Sequence, residues 1–294
     1  MEGMKYVFFG TPRFAEVIFR GLISKGLVPQ AIVTAPDALK GKKKVLTPSL
    51  VKQAALEMNE KLGVGIKIFT PMEFDASFSQ ELESLQAECF VLAAYGRILP
   101  QWLVELPPKG VVGVHPSMLP KYRGATPIQT AIMNGETETG TSVFVLNAGV
   151  DTGGILAQRR VEIAKSDTYE SLEQKLAQAS LEALVEALPL YRAGGIAPHR
   201  QSEERATLTK KIQTEDGFIL IYDVRDAIEN GGEKANKIHN IIRALHLEPG
   251  AFTVNESDER VKLLGSRLDE SGKLVLTKIQ KAGEKVKEGS NLIL

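Results

Sequence analysis

The sequence predicts an α/β protein: a mostly parallel sheet with helices on both faces, followed by a small β-barrel. Three observations lead there. Over the first 190 residues, short apolar runs alternate with amphipathic stretches. The apolar runs are continuous rather than alternating, as in strands covered on both faces. Beyond residue 207 the pattern changes to short strands between turns, which reads as a separate strand-rich unit.

The elements follow in order. "KYVFFG" is a buried strand, and "RFAEVIFRGLISKG" a helix that ends near Gly26. "AIVT" is the second strand. "TPSLVKQAALEMNEKLG" is a helix with Pro48 in its first turn and Gly63 at its end, the usual asymmetry of helix termini. "IKIFT" is a strand, "SFSQELESLQ" a helix and "CFVLAAYG" the fourth strand. "GVVGVH" is the fifth, and "TPIQTAIMNG" a helix opened by Pro and closed by Gly. "GTSVFVL" and "ILAQRRVEI" are two further strands, and a long helix, "TYESLEQKLAQASLEALVEALPLY", closes the first domain, 1–190. Residues 191–207 carry Gly, Pro and charge without periodicity and read as a linker. In the tail, 208–294, "EKANKIHNIIRALHL" is a helix, and "AFTV", "RVKLLGSRL" and "KLVLTKIQ" are strands.

Composition narrows the function classes. The chain of 294 residues is 43% hydrophobic and 24% charged, with no formal net charge, so it is an ordinary globular protein and not a general nucleic-acid coat. The single cysteine, Cys89, lies in an apolar run and reads as a buried, inert thiol. The start runs straight into a strand without a signal-peptide pattern, and no apolar run approaches the ~18 residues of a membrane span. The expectation is a cytoplasmic protein with no membrane contact, acting as a monomer.

In an open parallel sheet, ligands bind beyond the carboxyl ends of the strands. "GTPRFA" follows the first strand and "YGRILP" the fourth. His115 ends the fifth, and Asp151, in "AGVDTGG", follows the next. A carboxylate beside a histidine fixes its tautomer and raises its basicity. Spacing alone leaves a second reading open, a strand-end histidine bonded to backbone. "GTPRFA" lacks the G-x-G-x-x-G pattern, so a nicotinamide cofactor is not expected. The four histidines are scattered and Cys89 stands alone, so no metal site is expected.

"VHPSMLPKYRGATPI", followed by Asp in "GVDTGG", resembles the folate-dependent formyltransferase family. "VFFGTPRFA", "TAPDALKGKKKVLTPSLVKQAA", "VLAAYGRILP", "ATLTKKIQTEDGFI" and "IRALHLEPGAF" extend the resemblance over nearly the whole chain and toward the members that act on tRNA. The resemblance implies a Rossmann-like sheet domain that holds folate and an oligonucleotide-binding-like (OB-like) barrel that helps hold tRNA. It implies 10-formyltetrahydrofolate as formyl donor and the α-amine of methionyl initiator tRNA as acceptor. His115 and Asp151 then become the catalytic pair. Arg97, Ile98 and Leu99, the loop Ser117, Met118, Leu119 and Pro120, and Asn147 and Val150 become folate contacts. Ile98 and Leu99 also fit plain core packing.

The departure from the family is Gly113. The family places Asn two residues before the catalytic His, on the same face of the strand, where it donates a hydrogen bond to the formyl oxygen. With Gly113 another donor or a water takes its place, or the enzyme is engineered or impaired, or the chain keeps a folate pocket without formyl transfer. A formyltransferase of amino-sugar nucleotides also fits His115 and Asp151.

For tRNA, the resemblance points to the loop of Lys40, Lys42, Lys43 and Lys44, which corresponds to a loop that enters the acceptor stem. A solvated charge run is the plainer reading. Lys121 and Arg123 flank the site, and Lys210 and Lys211 open the tail. From Leu208 onward 14 basic residues face 14 acidic ones, so any RNA surface there comes from segregated charge.

Overall fold

The computed structural model describes residues 4–292 apart from 42, 247, 290 and 291. Its contacts divide it into two units. The first comprises residues 1–123, 140–161 and 174–206, and the second residues 124–139, 162–173 and 207–294. Chain order is β1 (Tyr6–Gly10), α1 (Arg13–Ser24), β2 (Ala31–Val33), β3 (Ala38–Lys40), β4 (Val45–Thr47), α2 (Leu50–Leu62), β5 (Lys67–Phe69), α3 (Ala76–Ser84), β6 (Cys89–Ala93), α4 (Gln101–Glu105), β7 (Val111–His115), β8 (Arg123–Gly124), α5 (Pro127–Met133), β9 (Glu138–Val145), β10 (Ile155–Glu162), α6 (Tyr169–Arg192), β11 (Leu208–Thr209), α7 (Ile221–Glu229), α8 (Gly232–Ala244), β12 (Ala251–Val254), β13 (Arg260–Leu268), β14 (Leu274–Lys281) and β15 (Lys287–Glu288).

The first unit is built on a seven-stranded sheet, β10-β9-β7-β6-β1-β2-β5. β5, β2, β1, β6 and β7 run parallel, and β9 is antiparallel to β7. All five residues of β1 and of β7 are buried, as a parallel sheet covered on both faces requires. Phe8, Phe9, Phe19 and Phe90 are fully buried around β1, each worth about 1.5–3 kcal/mol of transfer free energy.

α2 starts at Leu50, two residues past Pro48, which lies outside the helix and not in its first turn. Ser49 is the N-cap, its hydroxyl accepting from Lys52 N–H, so Pro48 precedes the cap. A side-chain acceptor there satisfies an orphan donor that proline cannot. The Lys-rich segment also gains structure the pattern does not predict. β3 and β4 pair as an antiparallel hairpin.

Cys89 is fully buried in β6. Burial, helped by the nearby Glu88 charge, pushes its thiol up to about 12. Iodoacetamide is therefore expected to leave native Cys89 intact and to alkylate it only in denaturant; native labelling at the unfolded rate would contradict this burial.

The second unit holds the four-stranded antiparallel sheet β12-β13-β14-β15. Ile219, Val224, Ile238 and Ile242 pack with Val261, Leu263, Leu276 and Ile279 in its core. α7 goes beyond the elements the pattern predicts. α5 and residues 162–173 join this unit, through contacts such as the Arg243 guanidinium donating to Asp167 O at 3.0 Å.

Candidate active site

The site grows from the end of β7. His115 is 5% exposed. Its carbonyl accepts from Ser117 N–H at 2.9 Å and from Thr141 Oγ1 at 3.2 Å. These bonds turn the chain sharply after the strand and leave the ring at the strand's carboxyl end. Nε2 lies 2.8 Å from Tyr122 O, and Nδ1 lies 3.5 Å from Asp151 Oδ2. Both ring nitrogens thus face acceptors. A neutral imidazole donates to one of them, and an imidazolium to both.

Asp151 comes from the loop between β9 and β10 and has φ of 54°, a left-handed conformation that is uncommon outside glycine. The residue that sequence spacing could not pair with His115 is thus brought beside it by that turn. The other two strand-end loops also meet. Thr11 Oγ1 donates to Tyr95 O and accepts from Ala35 N–H.

The loop after His115 is held from β9 and β10. Ser142 Oγ donates to Ser117 O at 2.7 Å and accepts from Leu119 N–H at 3.0 Å. Gln158 Nε2 donates to Leu119 O and to Ser142 Oγ. Ser117 Oγ is spent on Lys121 O, Met118 packs over Gly140, and Pro120 is half-buried. Sequence reasoning missed Ser142 and Gln158. Only the period-2 alternation of their strands could have placed them on that face.

The folate candidates separate. Ile98 and Val150 are 89% and 65% exposed, apolar side chains that stand out from the surface. Leu99 instead packs against the core. Arg97 donates to Pro71 O and Met72 O and lies 4.1 Å over the Phe74 ring, so it builds a wall. Asn147 Oδ1 accepts from Gly149 N–H and Thr152 Oγ1, and Asn147 lines a cleft of about 510 Å³.

Gly113 sits opposite Phe144 in the β7–β9 pairing. A Cβ built there would lie 2.5 Å from Leu146 Cδ1 and 2.8 Å from Phe144 Cε1. Hydrocarbon thus stands where the first side-chain carbon of an Asn would be.

Among the cations, Lys43, Lys44 and Lys121 are exposed. Lys42 and the side chain of Lys40 lie outside the described residues. Arg123 is corrected. It is 3% exposed, and its guanidinium bonds Gln201 and Glu203, so it is not presented to RNA. Lys210 pairs with Asp216 at 3.3 Å but stays 83% exposed, and Lys211 is exposed. The second unit adds a cleft of about 940 Å³ that Lys165, Lys237 and Arg267 line, basic residues the sequence did not single out.

Residues 4–188 match the formyl transferase family model. A methionyl-tRNA formyltransferase of Kosmotoga olearia is 39% identical over 264 residues, 90% of this chain and 79% of its own. Among solved structures, methionyl-tRNA formyltransferase from Clostridium thermocellum superposes with a TM-score of 0.63 at 17% identity, covering 97% of this chain and all of that one. An N-formyltransferase from Helicobacter canadensis, solved with folinic acid and dTDP-3-aminofucose, reaches 0.63 at 20% identity and covers 90% and 88%. The structural likenesses show the shared fold, and the family match with the sequence relative goes further: the chain belongs to the formyl transferase family, in its methionyl-tRNA formyltransferase group.

Proposed function

We propose that the protein transfers a formyl group from 10-formyltetrahydrofolate to the α-amine of methionyl initiator tRNA, the reaction that prepares the initiator for translation. The observation that carries this reading is the His115–Asp151 contact in a chain with that family membership. An α-amine has a reference pKa near 7.7–8.0, so it needs little activation at neutral pH. Transfer makes a C–N bond at the amine and breaks one at the folate nitrogen. The protein must therefore stabilise negative charge on the formyl oxygen and carry one proton from the first nitrogen to the second. His115 takes both roles once its Nε2 exchanges Tyr122 O for the substrate, while Asp151 on Nδ1 orients the ring and balances its charge. Ile98 and Val150 offer apolar surface to the folate, with backbone of the 147–150 loop for its polar edge. This proton traffic runs between side chains and substrate and uses no metal.

Lys43 and Lys44 stand at the tip of the β3–β4 hairpin beside the exposed Leu39, Val45 and Leu46. That surface suits an RNA end, with phosphates on the lysines and a base against hydrocarbon. Replacing Lys43 and Lys44 with alanine is expected to raise KM for the tRNA, leave KM for the formyl donor alone, and lower the salt slope by about one per lysine. An unchanged slope would place the hairpin away from RNA.

The acceptor class is settled by competition. With both methionyl initiator tRNA and an amino-sugar nucleotide present, the label from a formyl-labelled donor should appear on the tRNA. Preferential label on the sugar would overturn the proposal.

A further inference from the structure

Gln201 lies between the long helix and the tail, in a stretch without periodicity, yet it is 5% exposed. Its amide is engaged at both ends. Nε2 donates to Asp151 O at 2.8 Å and to Gly153 O at 2.7 Å. Oε1 accepts from Arg123 Nε at 3.0 Å and Nη2 at 2.9 Å. The Glu203 carboxylate in turn takes Arg123 Nη1 and Nη2 at 2.8 and 2.9 Å. A chain of bonds thus runs from Glu203 through Arg123 and Gln201 to the backbone of the Asp151 turn.

That turn needs holding. Asp151 is in the left-handed region, which persists in a non-glycine residue only where surroundings over-determine it. At Gly153 a Cβ would stand 1.8 Å from Val145 O, so the turn is pressed against β9 as well. The Asp151 carboxylate reaches His115 Nδ1 at 3.5 Å, and a further ångström would lose the contact.

We propose that Gln201 and Arg123 are positioning residues for formyl transfer: they hold the Asp151 turn so that its carboxylate stays on His115. The kinetic arm of the test rests on the functional reading above, and the exchange arm does not.

Gln201→Glu separates positioning from plain packing. Glutamate has the same size and still accepts from Arg123, but it sets a carboxylate oxygen against two carbonyl oxygens. In full-length protein, kcat for methionyl-tRNA formylation should fall about 10- to 100-fold, with both KM values within about threefold and the melting temperature lowered by a few degrees, as two carbonyls lose their donor. In an Asp151→Ala background the same substitution should cost nothing more, because Gln201 acts through Asp151. Amide exchange of residues 147–154 in the free protein should quicken in the variant. Gln201→Met, which drops both donors without adding charge, repeats the test if the glutamate variant does not fold. Turnover within twofold of the parent, a full additive loss on Asp151→Ala, or unchanged exchange would each overturn the proposal. If the parent itself transfers no formyl group, the functional reading fails, and the exchange result alone decides whether Gln201 holds the turn.

Discussion

Replacing His115 with alanine is expected to lower formyl transfer by about 10²- to 10⁴-fold, the range that loss of a positioned acid–base group produces. The ring ends β7 at 5% exposure, with Tyr122 O on Nε2 and Asp151 on Nδ1. Removing it takes away the proton carrier and a donor that faces the strand end, so kcat falls. The folate contacts assigned to Ile98 and Val150 remain, so KM for the formyl donor stays near the parent value. Asp151→Asn should lose less, because the amide keeps the turn and a polar contact but not the charge. Initial rates at saturating tRNA and donor measure both. A His115→Ala variant within threefold of the parent would remove the ring from the chemistry.

Gly113→Asn, which places there the residue the resemblance implies, is expected to give no gain alone. Its Cβ would meet Leu146 Cδ1 at 2.5 Å and Phe144 at 2.8 Å. Forcing side chains into a packed site costs about 1–3 kcal/mol, which should show as a lower melting temperature. Gly113→Asn with Leu146→Ala vacates the atom nearest the new Cβ. An oxyanion donor is worth about 10²–10³ in rate, and the double variant should recover part of that over Leu146→Ala alone. A tenfold gain from Gly113→Asn alone, at unchanged stability, would show that the space is not filled. Glycine here is thus matched by its neighbours Phe144 and Leu146.

The order of strands and helices was legible because buried parallel strands write themselves as continuous apolar runs. The caps were legible to within two residues: Gly63 takes φ of 63° as the C-cap of α2, while at the other end Ser49 is the cap and Pro48 lies outside the helix. The β3–β4 hairpin was not legible, because its lysines read as a solvated run and its strands are three residues each. His115 and Asp151 were both legible as strand-end residues, and the resemblance made them a pair. Their contact depends on a left-handed turn that spacing does not encode. Gln201 was invisible for a related reason: its segment has no period, and its partners lie 50 and 78 residues away. Arg123 was misjudged because a basic residue beside a site looks like a ligand contact until its burial and partners are known.

The central claim, that this chain moves a formyl group with His115 and without the family's Asn, has one direct measurement. The purified protein is mixed at high concentration with 10-formyltetrahydrofolate and methionyl initiator tRNA in a single turnover, and the esterified amino acid is identified by mass. Formyl-methionine should appear with the parent and be lost or slowed at least a hundredfold with His115→Ala. Unmodified methionine from the parent, with folate still bound, would contradict the account and leave a folate-binding protein.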